Sequence, residues 1–286
     1  MKLIRFGAAG KELPGIEDVT GKRLDCSSFG EDWNEAFFEN QGLERLRNWL
    51  TIHQSSLNEI PSESRLGPPI ARPSKILCIG LNYRKHAEEA GMPVPEVPIL
   101  FMKASSSLCG PFDPIYIPRN STQTDWEVEL AVVIGKRAKY VRKENAYDYI
   151  AGYCLHNDVS ERDFQLRQGG QWTKGKSADH FAPLGPYLVT KEEIPDPHRL
   201  SIWLKVNGEL LQNSTTADLI FDIPTLVSYV SHYMTLLPGD VISTGTPAGV
   251  GMGLPEPRYL VPGDQVQLGI EGLGESKQVA ILDPEA

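Results

Sequence analysis

Short apolar runs separated by proline and glycine dominate the chain from Lys75 onward. Their shortness and their content of β-branched and aromatic residues predict strands. These runs are KILCIG, PILFM, PIYIP, WEVELAVVIG, IAGYCLHN, PYLVT, SIWLKVNG, DVIST, QVQLGI and KQVAIL. Helix-like patterns are confined to residues 83–90, 143–149, 160–167 and 222–233, the last with Asp222 and Pro224 at its start. Many strands with few helices predict a mixed α/β, β-rich fold with a closed or rolled sheet.

The opening of the chain has a different pattern. The run KLIRFG predicts a strand, and apolar residues at near-helical spacing predict a helix from Trp33 to Leu50. Prolines at positions 61, 68, 69 and 73 predict an extended connector. We therefore expect a small N-terminal domain with a Pro-rich connector at residues 1–70, followed by a larger domain at residues 71–286.

Composition narrows the classes of protein to consider. The 286 residues are 41% hydrophobic and carry a net charge of -9, which argues against nucleic-acid binding because phosphates need clustered cations. A small anionic substrate remains compatible with this charge. No apolar run approaches the roughly 20 residues that span a bilayer, and the N-terminus turns polar too early for a signal peptide. The four cysteines form no CxxC pair, so we expect reduced thiols in a cytoplasmic protein without membrane partners.

The sharpest local feature is the sequence WEVEL at residues 126–130. Side chains alternate along a strand, so Glu127 and Glu129 share one face, where they can hold a cation or simply form a solvated polar surface. Asp158 follows the strand-like IAGYCLHN and is a candidate third ligand or else a helix N-cap. Three oxygen ligands without cysteine or histidine favour Mg²⁺ or Mn²⁺, with Ca²⁺ as a third option, over zinc.

Two other segments carry groups suited to acid–base and oxyanion chemistry. His86 and Glu89 are three residues apart on a predicted helix, so the carboxylate can orient the imidazole to activate water; the alternative is an ordinary surface pair. In QWTKGKS, either Lys174 or Lys176 is a candidate to neutralise an oxyanion or enolate, and the alternative is a basic surface loop.

Three further residues are candidates to bind substrate. Arg162 and Gln165 follow Asp158 at near-helical spacing and can bind a carboxylate or carbonyl. The glycine-rich STGTPAGVGMG contains no full GxGxxG and opens no helix, so it is not a dinucleotide loop. We expect it to present backbone N–H groups and Thr246 to a small anion. The chain also has no GxSxG, HExxH or Walker A motif.

Together these segments resemble the fumarylacetoacetate hydrolase family. Six motifs carry the resemblance, in the family's order, between about Lys75 and Gly274: GLNYRKHAEE, PILFMKASSS, TDWEVELAVVIG, AGYCLHNDVSERDFQ, QWTKGKSADHFAPLGP and ISTGTPAGVGMG. The resemblance implies a β-roll of mixed sheets with few helices, a homodimer and a divalent metal ion. The opening segment resembles a subgroup that includes bacterial 2,4-diketo-3-deoxy-sugar-acid hydrolases.

The resemblance also assigns roles to metal and water-activating residues. It implies that Glu127, Glu129 and Asp158 are metal ligands. It implies that His86 and Glu89 activate water from a segment that orders over the substrate.

The remaining assignments concern the substrate. The resemblance implies that Lys176, rather than Lys174, is the family's lysine, and that Arg162, Gln165 and Thr246 contact the substrate. A fourth carboxylate found in some family members has no clear match, because the nearby Asp113 lies in a Pro-rich turn.

The activity implied is metal-dependent hydrolysis of a carbon–carbon bond in a small anionic 2,4-diketo acid, with a 2,4-diketo-3-deoxy sugar acid as the expected substrate and pyruvate as one product. Two alternatives use the same enolate chemistry: decarboxylation of oxaloacetate and a lyase reaction on ureidoglycolate. A non-catalytic metal- or sugar-acid-binding protein is a third alternative, against which the combination of His86, Glu89 and Lys176 argues.

Overall fold

Residues 1–285, described by a computed structural model, contain far more strand than helix. The strands are β1 (Lys2–Phe6), β2 (Leu13–Glu17), β3 (Arg23–Asp25), β4 (Leu66–Gly67), β5 (Ile76–Gly80), β6 (Ile99–Lys103), β7 (Leu108–Cys109), β8 (Ile115–Ile117), β9 (Thr124–Asp125), β10 (Val128–Ile134), β11 (Ile150–Asn157), β12 (Ser160–Glu161), β13 (Ala182–Pro183), β14 (Leu188–Thr190), β15 (Ser201–Val206), β16 (Glu209–Thr215), β17 (Val241–Ser243), β18 (Gln265–Ile270) and β19 (Gly274–Leu282). The α-helices are α1 (Glu35–Glu39), α2 (Gly42–His53), α3 (Arg84–Glu89), α4 (Arg162–Leu166), α5 (Thr173–Lys176) and α6 (Ile223–Tyr233). The predicted sheet-rich α/β fold with few helices is confirmed.

Two large sheets hold the main core between them. The larger sheet has the strand order β3-β2-β1-β14-β11-β10-β17-β5-β6, with β4 paired to β1, and the smaller has the order β16-β15-β18-β19-β8. Val128 and Leu130 of β10 join Leu204 of β15 and Leu268 of β18 in one buried cluster. One face of β10 therefore packs on the smaller sheet; on its other face Glu129 lies near the start of the strand, and Ala131 and Val133 pack in a second buried cluster.

The opening segment extends the larger sheet. Strand β1 pairs antiparallel with β14 through Lys2↔Val189 and Leu3↔Leu188, and the indole N–H of buried Trp33 donates to the Ile4 carbonyl at 2.8 Å. The expected boundary near residue 70 thus falls inside one continuous sheet, and the separate N-terminal domain stays a prediction.

The helix expected from Trp33 to Leu50 is wrong as a single element. It is divided into α1 and α2 at Gln41, which has a left-handed backbone with φ 57°. Gly42 follows because a β-carbon there would collide with Phe37. The apolar spacing widens to six residues between Phe37 and Leu43, so the break coincides with an irregularity that the single-helix prediction passed over.

Of the other predicted helices, two are confirmed and two differ from the prediction. Residues 83–90 and 222–233 contain α3 and α6, and the Asp222 carboxylate caps α6 by accepting from the Thr225 N–H at 2.9 Å. Residues 143–149 form a 3₁₀ helix. The helix expected from Ser160 begins only at Arg162, because residues 160–161 pair with β9. Within residues 1–285, no helix combines the length and apolar character needed to cross a membrane.

Candidate active site

The two glutamates of the WEVEL segment lie beside each other in the interior. Val128 and Leu130 are buried in the core between the sheets, whereas Glu127 and Glu129 line a cavity. The predicted alternation along the strand is therefore confirmed. The alternative of a solvated polar face is wrong, because Glu127 and Glu129 are only 4% and 2% exposed.

Asp158 joins these glutamates from the end of β11. It is fully buried, and ligand oxygens of Glu127, Glu129 and Asp158 all lie within 4.8 Å of one another. We call these three residues the carboxylate cluster. Asp158 does not cap the following helix, because the side chain of Glu161 accepts the Asp163 N–H instead.

Three buried cations surround the carboxylate cluster. The Lys176 ammonium lies 2.8 Å from Glu127 Oε2 and 3.1 Å from Asp158 Oδ2. Arg162 Nη2 approaches Glu127 Oε1 at 2.7 Å, as an ion pair without an aligned hydrogen bond. Lys103 donates to Asp158 Oδ1 at 2.5 Å. These pairs offset the cost of burying charge, which is several kcal/mol for an unpaired ion.

Glu129 differs from its two neighbours in having no cationic partner within residues 1–285. Burial raises the pKa of Glu127 and Asp158, but the nearby cations outweigh it and hold both pKa values below their usual range. For Glu129, burial and the charges of Asp158 and Glu127 hold the pKa well above its usual range. Three close carboxyl groups, one of which has no cationic partner in the protein, fit a site for a hard divalent cation.

His86 and Glu89 form a buried pair on α3. His86 is 6% exposed, so the pair is not on the surface. Its Nδ1 lies 3.2 Å from Glu89 Oε2, and since a carboxylate only accepts, Nδ1 carries the proton. The other Glu89 oxygen accepts the Gly249 N–H at 2.9 Å, which fixes the carboxylate.

One cavity of about 170 Å³ gathers most of the residues predicted for the site. Seven of the nine line it: His86, Glu127, Glu129, Arg162, Gln165, Lys176 and Thr246. Glu89 and Asp158 lie behind this lining, where they contact His86 and Lys176 respectively. The rest of the lining is glycine or apolar: Ile79, Gly80, Leu81, Ala90, Met92, Phe101, Leu166, Trp172 and Met252. The cavity therefore combines an ionic side with an apolar side.

The three residues predicted to contact substrate already have protein partners. Arg162 donates to Asp125 at 2.8 Å and to Gln165 Oε1 at 3.1 Å. The Thr246 hydroxyl donates to the Val128 carbonyl at 2.9 Å, so its proton holds the glycine-rich loop against β10. Substrate contact by these residues stays a prediction. Lys174 is exposed and bonds the Gln168 carbonyl, away from the cavity.

Sequence analysis missed the two residues that complete the ionic side. Lys103 is fully buried at the end of β6, and Asp125 accepts from Arg162 and from the Gly251 N–H at 2.7 Å. A signal was present for Asp125, which lies two positions before Glu127 in TDWEVEL, whereas the run that contains Lys103 gave none. Asp113, considered as a fourth carboxylate, is bound by Arg65 instead.

His156 was also missed and supports the carboxylate cluster from behind. It stands opposite Glu129 in the β10–β11 pairing. Its Nδ1 lies 2.7 Å from the Ser243 hydroxyl, which donates to Glu129. Burial lowers the pKa of His156 to about 3, so the ring is neutral and Nδ1 carries the proton toward Ser243.

Comparison with known proteins gives consistent results. The family model described as fumarylacetoacetate (FAA) hydrolase, C-terminal, matches residues 75–280. A relative from Burkholderia cenocepacia, provisionally named a hydrolase, is 51% identical over 97% of this chain and 98% of its own length.

Solved structures extend the comparison to the whole fold. Fumarylacetoacetate hydrolase from psychrophilic Exiguobacterium antarcticum has a TM-score of 0.86 and 35% identity over 99% of this chain and 100% of its own. Maleylpyruvate hydrolase from Sphingobium sp. SYK-6, in complex with manganese(II) and pyruvate, has a TM-score of 0.82 and 30% identity over 99% of both chains. 5-Carboxymethyl-2-hydroxymuconate delta-isomerase from Mycobacterium smegmatis has a TM-score of 0.77 and 34% identity, also over 99% of both.

Fold and site together define a class of sheet-rich α/β enzymes whose interior holds three converging carboxylates with a lysine beside them. The chain belongs to the fumarylacetoacetate hydrolase family.

Proposed function

We propose that this protein is a metal-dependent hydrolase that cleaves a carbon–carbon bond of a 2,4-diketo acid to give pyruvate and a second carboxylic acid. One observation carries the proposal: Glu127 and Glu129 line one small cavity with Lys176 and the imidazole of His86, and Asp158 lies directly behind them within the carboxylate cluster. The Sphingobium neighbour, a maleylpyruvate hydrolase crystallised with manganese(II) and pyruvate, supports the same reaction class.

The carboxylate cluster is proposed to hold Mg²⁺ or Mn²⁺, with Ca²⁺ as a third option. When bound, the cation supplies Lewis-acid polarisation of the 2-oxo acid end of the substrate. Lys103 and Lys176 keep Asp158 in its charged form, and Ser243 with the Gly245 N–H orients Glu129. The chain itself thus keeps Glu127 and Asp158 ionised and holds Glu129 in a fixed orientation.

His86 is proposed as the base that activates water. With Nδ1–H directed at Glu89, Nε2 is the nitrogen that accepts a proton. Hydroxide then adds to the C4 carbonyl and the C3–C4 bond breaks. Its electron pair stays on C3 as the enolate of pyruvate, and the proton held by His86 returns to that carbon. A positioned general base contributes about 10²–10⁴-fold to such a rate.

Lys176 is proposed to stabilise the negative charge that develops during this step. Burial lowers its pKa, but Asp158 and Glu127 outweigh burial and raise it, so the side chain remains an ammonium donor. Gln165 and Thr246 line the cavity with Lys176 and are proposed, with Arg162, to orient the substrate. A preorganised ammonium in a buried site stabilises an oxyanion more strongly than water does.

The His86→Ala variant tests the proposal. We expect kcat for pyruvate release from 2,4-diketo acids to fall at least about 10²-fold, with Mn²⁺ affinity unchanged. The matched control is Glu88→Gln, an exposed position on the same helix, which should retain full activity. Full turnover by His86→Ala would remove the base from the mechanism. If oxaloacetate were turned over faster than every diketo acid, the proposed activity would be decarboxylation instead of hydrolysis. If ureidoglycolate were turned over faster than every diketo acid, it would be a lyase activity.

A further inference from the structure

The apolar side of the cavity reaches solvent. Met92 is 51% exposed and Leu166 44%, while Trp172 and Met252 are half-buried, and all four line the same cavity as Lys176. We call these four residues the tail wall. Large apolar side chains grouped around the opening of a polar site indicate that an apolar ligand group binds there, because their exposure to water is unfavourable until such a group covers them.

Trp172 is held in place within this wall. Its ring centroid lies 5.3 Å from that of Phe101, in an edge-to-face arrangement. Gly80 lies beneath it, and a β-carbon at residue 80 would be 2.5 Å from Trp172 Cζ3. The indole of Trp172 therefore packs directly on the backbone of residue 80, and only glycine at that position permits so close a contact.

Each cation that lines the cavity already has an acidic partner. Arg162 pairs with Asp125 and Glu127, and Lys176 pairs with Glu127 and Asp158. His86 pairs with Glu89. Among the described lining residues, none offers a free positive charge to a second carboxylate on the substrate. Burying such a group without a partner is costly.

Apart from the Trp172 indole, the described lining has two uncharged polar side chains, Gln165 and Thr246, and of their polar atoms Gln165 Nε2 alone has no protein hydrogen bond. Gln165 Oε1 accepts from Arg162, and the Thr246 hydroxyl bonds both the Val128 carbonyl and the Gln212 amide. The tail wall itself offers apolar side chains and one indole. Hydroxyl groups placed against it would lose their hydrogen bonds to water without replacing them.

We infer that the substrate's tail, the part beyond the C4 carbonyl, is uncharged and apolar, and that the tail wall selects it. This inference rests on the proposed function and narrows its substrate class. The preferred substrate is then a 2,4-diketo monoacid with an alkyl or aryl tail. It is neither a diacid nor the sugar acid that the sequence implied.

A matched set of substrates tests the inference. The set contains 2,4-diketo acids with unbranched alkyl tails of increasing length, one with hydroxyls on that tail, and one ending in a carboxylate. With Mn²⁺ bound, kcat/KM should rise up to about fourfold per added methylene until the cavity is full. It should be about 10²-fold lower for the hydroxylated tail. Higher kcat/KM for the hydroxylated or carboxylated substrate would overturn the inference alone. Release of pyruvate from none of the set would overturn the proposed function as well.

The Leu166→Gln variant tests the wall directly. We expect it to lower kcat/KM for the alkyl substrates about tenfold, with little change for the hydroxylated one and unchanged Mn²⁺ affinity. Leu210→Gln is the matched control, because Leu210 is 49% exposed on β16 and lies outside the cavity lining. Met92→Gln provides a second variant if Leu166→Gln does not fold. Unchanged preference in the folded variant would show that the wall does not select the tail.

Discussion

The two sides of the cavity are built from different kinds of structure. The carboxylate cluster comes from the paired ends of the central strands β10 and β11: Glu129 lies on β10, Glu127 directly precedes that strand, and Asp158 directly follows β11. Its members are at most 4% exposed. The opposite side comes from short elements, such as the six-residue α3, and includes Met92, which is half exposed. Hydrogen-bonded strands fix ligands with the precision that a cation needs. Groups that meet a substrate lie on elements with fewer contacts, which can adjust more readily.

The difference also appears in how side chains are paired. On the ionic side, Glu127 and Asp158 each contact two cations. At α3, the position of His86 depends mainly on Glu89, and that of Glu89 on one backbone N–H. Loss of one group should therefore disturb many partners in the carboxylate cluster and few at α3.

The largest effect is expected for Glu129→Gln, which tests whether the ionic side exists to hold a cation. The amide can still accept from Ser243 and Gly245, so the fold should persist, but the carboxyl group that a cation would bind in its ionised form is replaced by a neutral amide. We expect Mn²⁺ affinity to fall at least about 10²-fold, and activity about 10³-fold, because a hard cation prefers charged oxygen ligands. Calorimetric titration with Mn²⁺ measures the first quantity. Glu275→Gln, an exposed strand position, is the control; equal Mn²⁺ affinity in the two variants would contradict the metal assignment.

The second-largest effect is expected for Lys103→Met, which tests whether the buried ion pairs depend on one another. Asp158 would lose one of its two cationic partners and keep only Lys176. We expect the free energy of unfolding without metal to fall by about 3 kcal/mol. Added Mn²⁺ should recover part of this loss, because it binds only the folded state.

Urea unfolding with and without Mn²⁺ measures both effects of Lys103→Met. The control is Lys277→Met on the exposed face of β19, which should change stability by no more than about 0.5 kcal/mol. Equal stability of the two variants would mean that Lys103 does not stabilise Asp158.

Sequence reasoning found the residues whose local pattern alone sets their position. Glu127 and Glu129 follow from strand alternation, and Asp158 from its place at a strand end. Lys103 could not be assigned, because its role depends on Asp158, 55 positions away, and its own strand shows only one charged residue. Burial of an ion pair is a property of the assembled sheets, which a local pattern does not contain.

The same limit applies to the fold. All ten predicted apolar runs contain strands, because a run buried by a sheet must be apolar. Strand β16 was missed because only one of its seven residues is buried, so its sequence ELLQNST contains no continuous apolar run. The break at Gln41 was missed because no proline marks it, and the two signs that do, the six-residue step from Phe37 to Leu43 and Gly42, were outweighed by the regular spacing on either side.

The smallest effect is expected for Gly253→Ala, which tests whether the position of His86 depends on its single partner, Glu89. A β-carbon at residue 253 would lie 2.7 Å from Glu89 Oε2, so Glu89 must move away from His86. The residue has no left-handed φ, so alanine introduces no backbone strain of that kind. We expect kcat to fall about tenfold with KM, Mn²⁺ affinity and stability close to the parent values, because the ionic side is untouched. Glu256→Ala, an exposed position in the same loop, is the control. A parallel loss of Mn²⁺ affinity would show that the two sides are coupled, and an unchanged kcat would show that Glu89 does not position His86.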